Sequence, residues 1–348
     1  MKATILHAPR DIRVEEVEDP AVQRPTDALV RVTAACVCGS DLWPYRGINE
    51  VKRPRRIGHE FVGIVEEVGS EVRSLRPGDF VIAPFLYSDN TCPHCQVGLQ
   101  SACANGGGWG GKDREGLMVD GGQGEYVRVP LADGTLVSTR EVPDDAQVPS
   151  MLALSDVMAT GWHAAVAAGV REGDTVVVVG DGAVGLCGVL AAAQMGAERV
   201  VAMSRHESRQ RLAREFGATD VVAERGSDGE DAVRELTDGV GADAVLECVG
   251  TGEAMQTAIT VARPGATVGY VGVPHGVELP IGDMFSRNVG VAGGVAPVRQ
   301  YLPRLRDDVL SGAISPGAVF DLEVPLADAA EAYAAMDERR AIKSLIRP

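Results

Sequence analysis

Two short runs concentrate the side chains that bind metal. "CVCGSD" and "IGHE" supply Cys38, Ser40, Asp41, His59 and Glu60 beside turn glycines. A cysteine, a histidine and a carboxylate make a zinc site that keeps one position open, as catalysis requires. The same spacing also suits Cys36 and Cys38 as two buried cysteines on one strand face. Another stretch, "YSDNTCPHCQVGLQSAC" from Tyr87 to Cys103, holds three of the seven cysteines in what reads as a loop. Seven is an odd, unevenly clustered set, which favours metal ligation over a disulfide framework. The alternative is a metal-free loop with three reduced thiols.

A further run has the pattern of a phosphate site rather than a metal site, the alternative being a Gly-rich turn with no ligand. In "TVVVVGDGAVGLCGVLAAAQMGA", Gly180, Gly182 and Gly185 follow a strand and open an Ala-rich helix, with Ala183 and Val184 between the last two glycines. That context gives a GxGxxG match its meaning: a tight turn, close approach of backbone to a pyrophosphate, and helix packed on strand. The unpaired N–H groups and dipole at the helix start favour the anion. An NAD site calls for an acidic residue about 20 positions further on. Here Ser204 stands there, followed by Arg205 and Arg209. A hydroxyl with guanidinium groups accepts a 2′-phosphate that a carboxylate would repel, so NADP is expected, with NAD as the alternative. The arginines also fit a solvated helix face.

These side chains need elements to hold them. With 348 residues, 45% of them apolar, the chain is long enough for two globular domains. "DALVRVTAAC", "FVGIVEEVG", "GDFVIAP" and "GEYVRVP" alternate with Gly, Pro and Asp turns, as an all-β body does. From about Ser150, helical segments alternate with Val-rich strands such as "DTVVVVG", "ERVVAMS" and "ADAVLECVG", as in a parallel sheet buried on both faces. After Asn288, "QYLPRLRDDVLSG" reads as a helix, and the tail from "AAEAYAAMD" to "IKSLIRP" as a helix and a strand. A formal net charge of −16 opposes binding to nucleic acid or to an anionic membrane. The opening "MKATILHAPRDIRVEE" has neither a charged leader nor a cleavage site, so a cytoplasmic protein is expected.

Taken together, "CGSD", then "GHE", a cysteine-rich lobe, "LSDVMATGWHA" and the GxGxxG turn resemble the zinc-dependent alcohol dehydrogenases of the medium-chain dehydrogenase/reductase superfamily. The resemblance holds in order and spacing along nearly the whole chain. It implies an α/β protein: a GroES-like, partly open β-barrel catalytic domain at 1–150, a Rossmann doubly wound parallel-sheet domain at 151–288, and a segment 289–348 returning to the first. It also implies a catalytic zinc on Cys38, His59 and Asp156, with Glu60 beside the metal and able to enter its shell. Asp41 would orient His59, and Ser40 would accept the alcohol proton and pass it toward the nicotinamide ribose. An alcohol bound at the open zinc position would lose its proton near neutral pH and release hydride to the nicotinamide.

By the same resemblance, a structural-zinc lobe at about 87–104 has ligands three, three and eight positions apart: Asp89, Cys92, Cys95 and Cys103, with an aspartate in place of the first cysteine. His94 is a rival nitrogen ligand. Thr160 would pack on the nicotinamide, and Val271, Gly272 and Val273 would hold its carboxamide. Lys343 would stand near the pyrophosphate, or be a surface lysine. Trp43 replaces a relay histidine of many relatives and either lines the substrate pocket or fills space. The Gly-rich segment 105–124 either covers the cleft with Trp109 or is a surface excursion. The partner expected is a small alcohol or carbonyl compound, and relatives suggest a homodimer or homotetramer. A zinc-free quinone or enone reductase of the same superfamily and a non-catalytic dinucleotide-binding zinc protein are the alternatives; the intact ligand set argues against both.

Overall fold

Alternation of apolar and polar residues makes Ala28–Cys36 a strand with one face wholly inside, and it organises the first of two compact units. The computed structural model describes residues 1–139 and 141–348. Unit one comprises Met1–Asp156 and Pro297–Pro348, and unit two Val157–Ala296.

In unit one, Ala28–Cys36 pairs antiparallel with Phe61–Val68, with Tyr126–Val129 and, at its far end, with the tail strand Lys343–Arg347. Phe80–Ala83 and Val137–Ser138 extend the sheet on one side, and Phe320–Pro325 lies parallel to the tail strand on the other. Val30, Val32, Phe61, Val65, Val81 and Val127 form its core. The chain's return places Ile346 opposite Ala35 and Leu345 opposite Cys36, which carries Lys343 to the region where Cys38 and His59 begin. The units divide at 156/157 and 296/297, beyond the 150/151 and 288/289 read from sequence. The helix Val148–Ala153 stays with unit one, where it packs on Ala28–Cys36, Phe61–Val68 and Pro316–Val319 and Ser150 Oγ accepts the Gly317 N–H at 3.1 Å.

Unit two is a parallel sheet with spatial order Asp220–Val222, Arg199–Met203, Thr175–Val179, Ala242–Glu247, Ala262–Tyr270, Gly290–Gly293. The order reverses between Thr175–Val179 and Ala242–Glu247, the topological switch at which such sheets bind ligands. Val176, Val177 and Val178 are fully buried, as a strand covered on both faces requires.

The Gly-rich segment 105–124 is tied down rather than free over a cleft. Gly107–Gly108 pairs with Leu86–Tyr87, and Gly111–Lys112 with Met118–Val119. Trp109 packs edge-on against Phe61 at 4.9 Å and Tyr87 at 5.9 Å, and its Nε1 donates to Pro84 O at 3.1 Å. Both readings of this segment, as a cover for the cleft with Trp109 and as a surface excursion, are therefore corrected: the half-buried indole packs against the β-core. Among the described residues no helix is long and apolar enough to cross a membrane.

Candidate active site and metal centres

The turn after Cys36 sets up the first cluster. Cys36 ends its strand fully buried, whereas Cys38 lies beyond it at the head of the turn Gly39–Asp41, so the two do not share a strand face. Asp41 Oδ2 accepts the Cys38 N–H at 3.0 Å, while its Oδ1 lies 3.4 Å from His59 Nδ1. One carboxylate thus fixes the cysteine's backbone and leaves Nε2 of the histidine directed at the cluster. Phe85 packs edge-on to the imidazole, with ring centroids 6.3 Å apart.

Cys38, His59, Glu60 and Asp156 bring their ligand atoms within 4.8 Å of one another. Asp156 Oδ2 is 3.5 Å from Cys38 Sγ and 3.5 Å from His59 Nε2. Tetrahedral zinc with ordinary bond lengths separates S and O by about 3.6 Å and N and O by about 3.4 Å, so these groups already have a zinc site's edges. Burial is the largest influence on His59 and opposes its charge. Asp41, Cys38 and Asp156 more than offset it and hold the imidazole well above its ordinary pKa, the sign of a pocket that attracts a cation. Glu60 is fully buried, and its Oε2 has no hydrogen-bond partner among the described residues.

Lys343 holds the other oxygen of Glu60. Its Nζ lies 2.7 Å from Glu60 Oε1 and 3.2 Å from Val37 O, at 1% exposure. The readings of Lys343 as a surface lysine and as a neighbour of the pyrophosphate are both corrected accordingly: its buried ammonium is taken up by Glu60 and Val37 O. Ser40 is exposed on the Gly39–Asp41 turn, and Trp43 is half-buried on the short helix that follows, Leu42–Tyr45.

In the second cluster, Asp89 Oδ1 lies 3.4 Å from Cys95 Sγ and 3.3 Å from Cys103 Sγ. Cys92 Sγ is 3.6 Å from Cys95 Sγ and 3.9 Å from Cys103 Sγ. Tetrahedral zinc predicts about 3.8 Å between sulfurs and about 3.6 Å from sulfur to oxygen, so an aspartate and three cysteines fit. The one-turn helix Pro93–Gln96 spaces Cys92 and Cys95, while Asp89 accepts the N–H groups of Thr91 and Cys92 at 2.9 and 3.0 Å. Although burial opposes it, these backbone donors hold the Asp89 carboxyl far below its usual range. The Ala104 N–H lowers the Cys92 thiol, and burial raises that of Cys95. His94 is exposed and stands outside the cluster.

The glycine turn of unit two fits a dinucleotide. Gly180 has φ +116°, and a Cβ on Gly185 would lie 2.0 Å from Gly180 O, so helix and turn touch backbone to backbone. A Cβ on Gly182 would meet nothing within 4 Å, which leaves that backbone open to a ligand. Ala183 and Val184 begin the helix Ala183–Gln194. Thr160 is buried in the helix Val157–Ala168. Val271, Gly272 and Val273 follow directly on the strand Ala262–Tyr270, and a Cβ on Gly250 would lie 2.1 Å from Val273 O.

Sequence reasoning missed several residues here. Glu247 Oε1 accepts the N–H groups of Val249 and Gly250, both at 2.8 Å, and so shapes the loop facing Val271–Val273. Asp181, inside the glycine turn, takes the hydroxyl of Ser204 at 3.0 Å and pairs with Arg209 at 3.2 Å. Its acid was visible in "GDG", but its partners come from beyond the next strand, Ser204 directly after Arg199–Met203 and Arg209 on the helix Glu207–Glu215. Arg225 donates to Met203 O at 3.2 Å, and its Nη1 is buried without a partner among the described residues.

The comparisons with known proteins agree with this geometry. Residues 24–144 match the alcohol dehydrogenase GroES-like domain, and residues 183–308 match the zinc-binding dehydrogenase domain. Zinc-type alcohol dehydrogenase B of Aspergillus flavus is 36% identical over 343 residues, spanning 96% of this chain and 78% of that protein. Among solved structures, alcohol dehydrogenase TADH from Thermus sp. ATN1 superposes with a TM-score of 0.91 at 32% identity, covering 100% of this chain and 99% of that one. A putative zinc-binding dehydrogenase from Sinorhizobium meliloti 1021, bound to NADP, has a TM-score of 0.83 at 29% identity, with 100% and 99% covered.

Proposed function

The chain belongs to the zinc-dependent alcohol dehydrogenases of the medium-chain dehydrogenase/reductase superfamily, and from that premise we propose the sites and coenzyme of this oxidoreductase. Cys38, His59 and Asp156 hold the catalytic zinc, with Glu60 as its neighbour, and Asp89, Cys92, Cys95 and Cys103 hold a structural one. The observation that carries this reading is the placement of Asp156 Oδ2 3.5 Å from both Cys38 Sγ and His59 Nε2. Zinc held there supplies a Lewis acid for an alcohol or carbonyl oxygen.

The chain's own residues do the rest. Asp41 keeps Nε2 of His59 aimed inward, and Lys343 holds Oε1 of Glu60, the oxygen that lies 4.0 Å from His59 Nε2. Ser40, exposed two residues from Cys38, takes the substrate's proton and passes it toward the coenzyme ribose or water. Trp43 carries no titrating proton, so it does not extend the relay; it presents a flat apolar wall to the substrate.

The glycine turn of 180–185 binds the pyrophosphate, Thr160 packs on the nicotinamide, and the backbone of Val271–Val273 holds its carboxamide. NADP is the preferred coenzyme: no acid ends the strand Arg199–Met203, and Ser204, Arg205, Arg209 and Arg225 gather beyond it. The NADP bound in the Sinorhizobium meliloti relative supports this preference. We place the enzyme in the cytoplasm as a homodimer or homotetramer acting on a small alcohol or carbonyl compound. An NADPH-linked screen of carbonyl compounds tests the proposal. Wild type should consume NADPH, and Cys38→Ala should stop turnover while NADPH affinity stays within about twofold, since uniform binding is untouched. Turnover preserved in that variant would remove Cys38 from the site.

A further inference from the structure

Two of the side chains assigned to the 2′-phosphate, Ser204 and Arg209, are already engaged by an internal anion. Asp181 Oδ2 accepts the Ser204 hydroxyl at 3.0 Å and the Arg205 N–H at 3.3 Å. Its Oδ1 accepts Arg209 Nη1 at 3.2 Å, and the same nitrogen also donates to Asp181 O at 3.3 Å. The side chains of Asp181 and Arg209 are 14% and 15% exposed, so water screens this pair little. Burial works against the carboxylate, but Arg209 and Ser204 hold Asp181 below its ordinary pKa, ionised at neutral pH.

A 2′-phosphate brings a charge of about −1.5 to −2 to this place. To use the Ser204 hydroxyl or Nη1 of Arg209 it must take them from Asp181, and any other donor of Arg209 brings it beside the same carboxylate. Otherwise it rests on the side chains of Arg205 and Arg225 alone. A ribose without the phosphate meets no such conflict, because one of its hydroxyls can donate to the lone pair left on Asp181 Oδ1. The acid that an NAD site needs at the end of the second strand is thus delivered from the glycine turn. We infer that Asp181 is a specificity-determining residue that competes with the coenzyme's 2′-phosphate for Ser204 and Arg209, restraining the preference for NADP and preserving binding of NAD. The inference rests on the assignment of the adenosine end to Ser204 and Arg205.

The test is fluorescence titration of NADPH and NADH against wild type, Asp181→Asn, Asp181→Ala and Arg205→Ala, which reads binding without turnover. The asparagine keeps the shape of the turn and removes only the charge, and thermal melting confirms that each variant is folded. Asp181→Asn should tighten NADPH about tenfold, the worth of roughly one charge-assisted hydrogen bond, and leave NADH unchanged or weaker. An unchanged ratio of the two affinities, or a shift toward NADH, would overturn the inference. Arg205→Ala separates the two claims. If it shifts the ratio toward NADH while Asp181→Asn does nothing, the phosphate assignment stands and the role of Asp181 falls. If Asp181→Asn shifts the ratio and Arg205→Ala does not, Asp181 stands and Arg205 leaves the phosphate site.

Discussion

Lys343 and Glu60 meet at 2.7 Å with 1% and no side-chain exposure, so neither charge has water to fall back on. Burial opposes the ammonium, but Cys36 and Glu60 around it keep Lys343 protonated, and the ring of Phe320 lies 5.8 Å from Nζ. Removing one partner of such a pair leaves a bare buried charge, at a cost of about 3–5 kcal/mol. Lys343→Met should therefore lower stability to urea by about that amount, and adding Glu60→Gln should recover much of it. A single variant as stable as wild type would mean that Glu60 is balanced by something other than Lys343. The pair also marks how far residue-level legibility reaches. Cys38, Asp41 and His59 were readable because short motifs place them, and the Glu60 partner was not, because it lies 283 positions away and arrives by strand pairing. Asp181 was hidden for the same reason, its partners being set by the neighbouring strands Thr175–Val179 and Arg199–Met203.

Elements are held by polar contacts that sequence periodicity does not encode. Asp133, on the short helix Ala132–Thr135, accepts the N–H groups of Arg73 and Ser74 at 2.8 and 2.9 Å and the Ser74 hydroxyl at 2.6 Å. Burial opposes its charge, yet the Ser74 and Arg73 donors hold its carboxyl below the ordinary value. A carboxyl lower in the folded than in the unfolded state stabilises fully above its unfolded pKa, about 3.9, and loses that contribution as pH falls through the folded value. Asp133→Asn should thus cost about 1–2 kcal/mol at pH 7, with the difference shrinking in acid; denaturant titrations at several pH values would read it. A gap that persists at the lowest pH would place the effect in packing.

The lobe makes a second case. Its register was legible from cysteine spacing, whereas the fit of an aspartate depended on the backbone donors Thr91 and Cys92 that orient it. Asp89→Ala should release about one zinc per chain and lower the melting temperature by several degrees, with kcat little changed. Equal loss of kcat and stability would merge the lobe with the active site. Trp109 was misread because a glycine-rich run gives no period, and only the pairing of Gly107–Gly108 with Leu86–Tyr87 turns its ring into the core.

At the scale of the molecule, the chemistry divides by unit. Every proposed zinc ligand lies in the unit of Met1–Asp156 and Pro297–Pro348, and the glycine turn with its arginines lies in Val157–Ala296. The parallel sheet of the second unit was legible in its alternating helices and Val-rich runs, because parallel strands need crossover helices and so announce themselves; the order of its strands emerges only in the structure. The boundaries were less legible, since the helix Val148–Ala153 is kept in unit one by its packing on that unit's strands and a side-chain contact with Gly317. Stripping zinc with a chelator should leave NADPH titration intact while ending turnover, and loss of both would mean that the metal supports the coenzyme unit as well. The central claim is that two separate side-chain sets each hold zinc, one of them through Cys38, His59 and Asp156. Native mass spectrometry of freshly purified wild type and of His59→Ala tests it most directly. Wild type should carry two zinc ions per chain and His59→Ala one; a folded wild type without zinc, or a count that His59→Ala leaves unchanged, would contradict the two-site assignment.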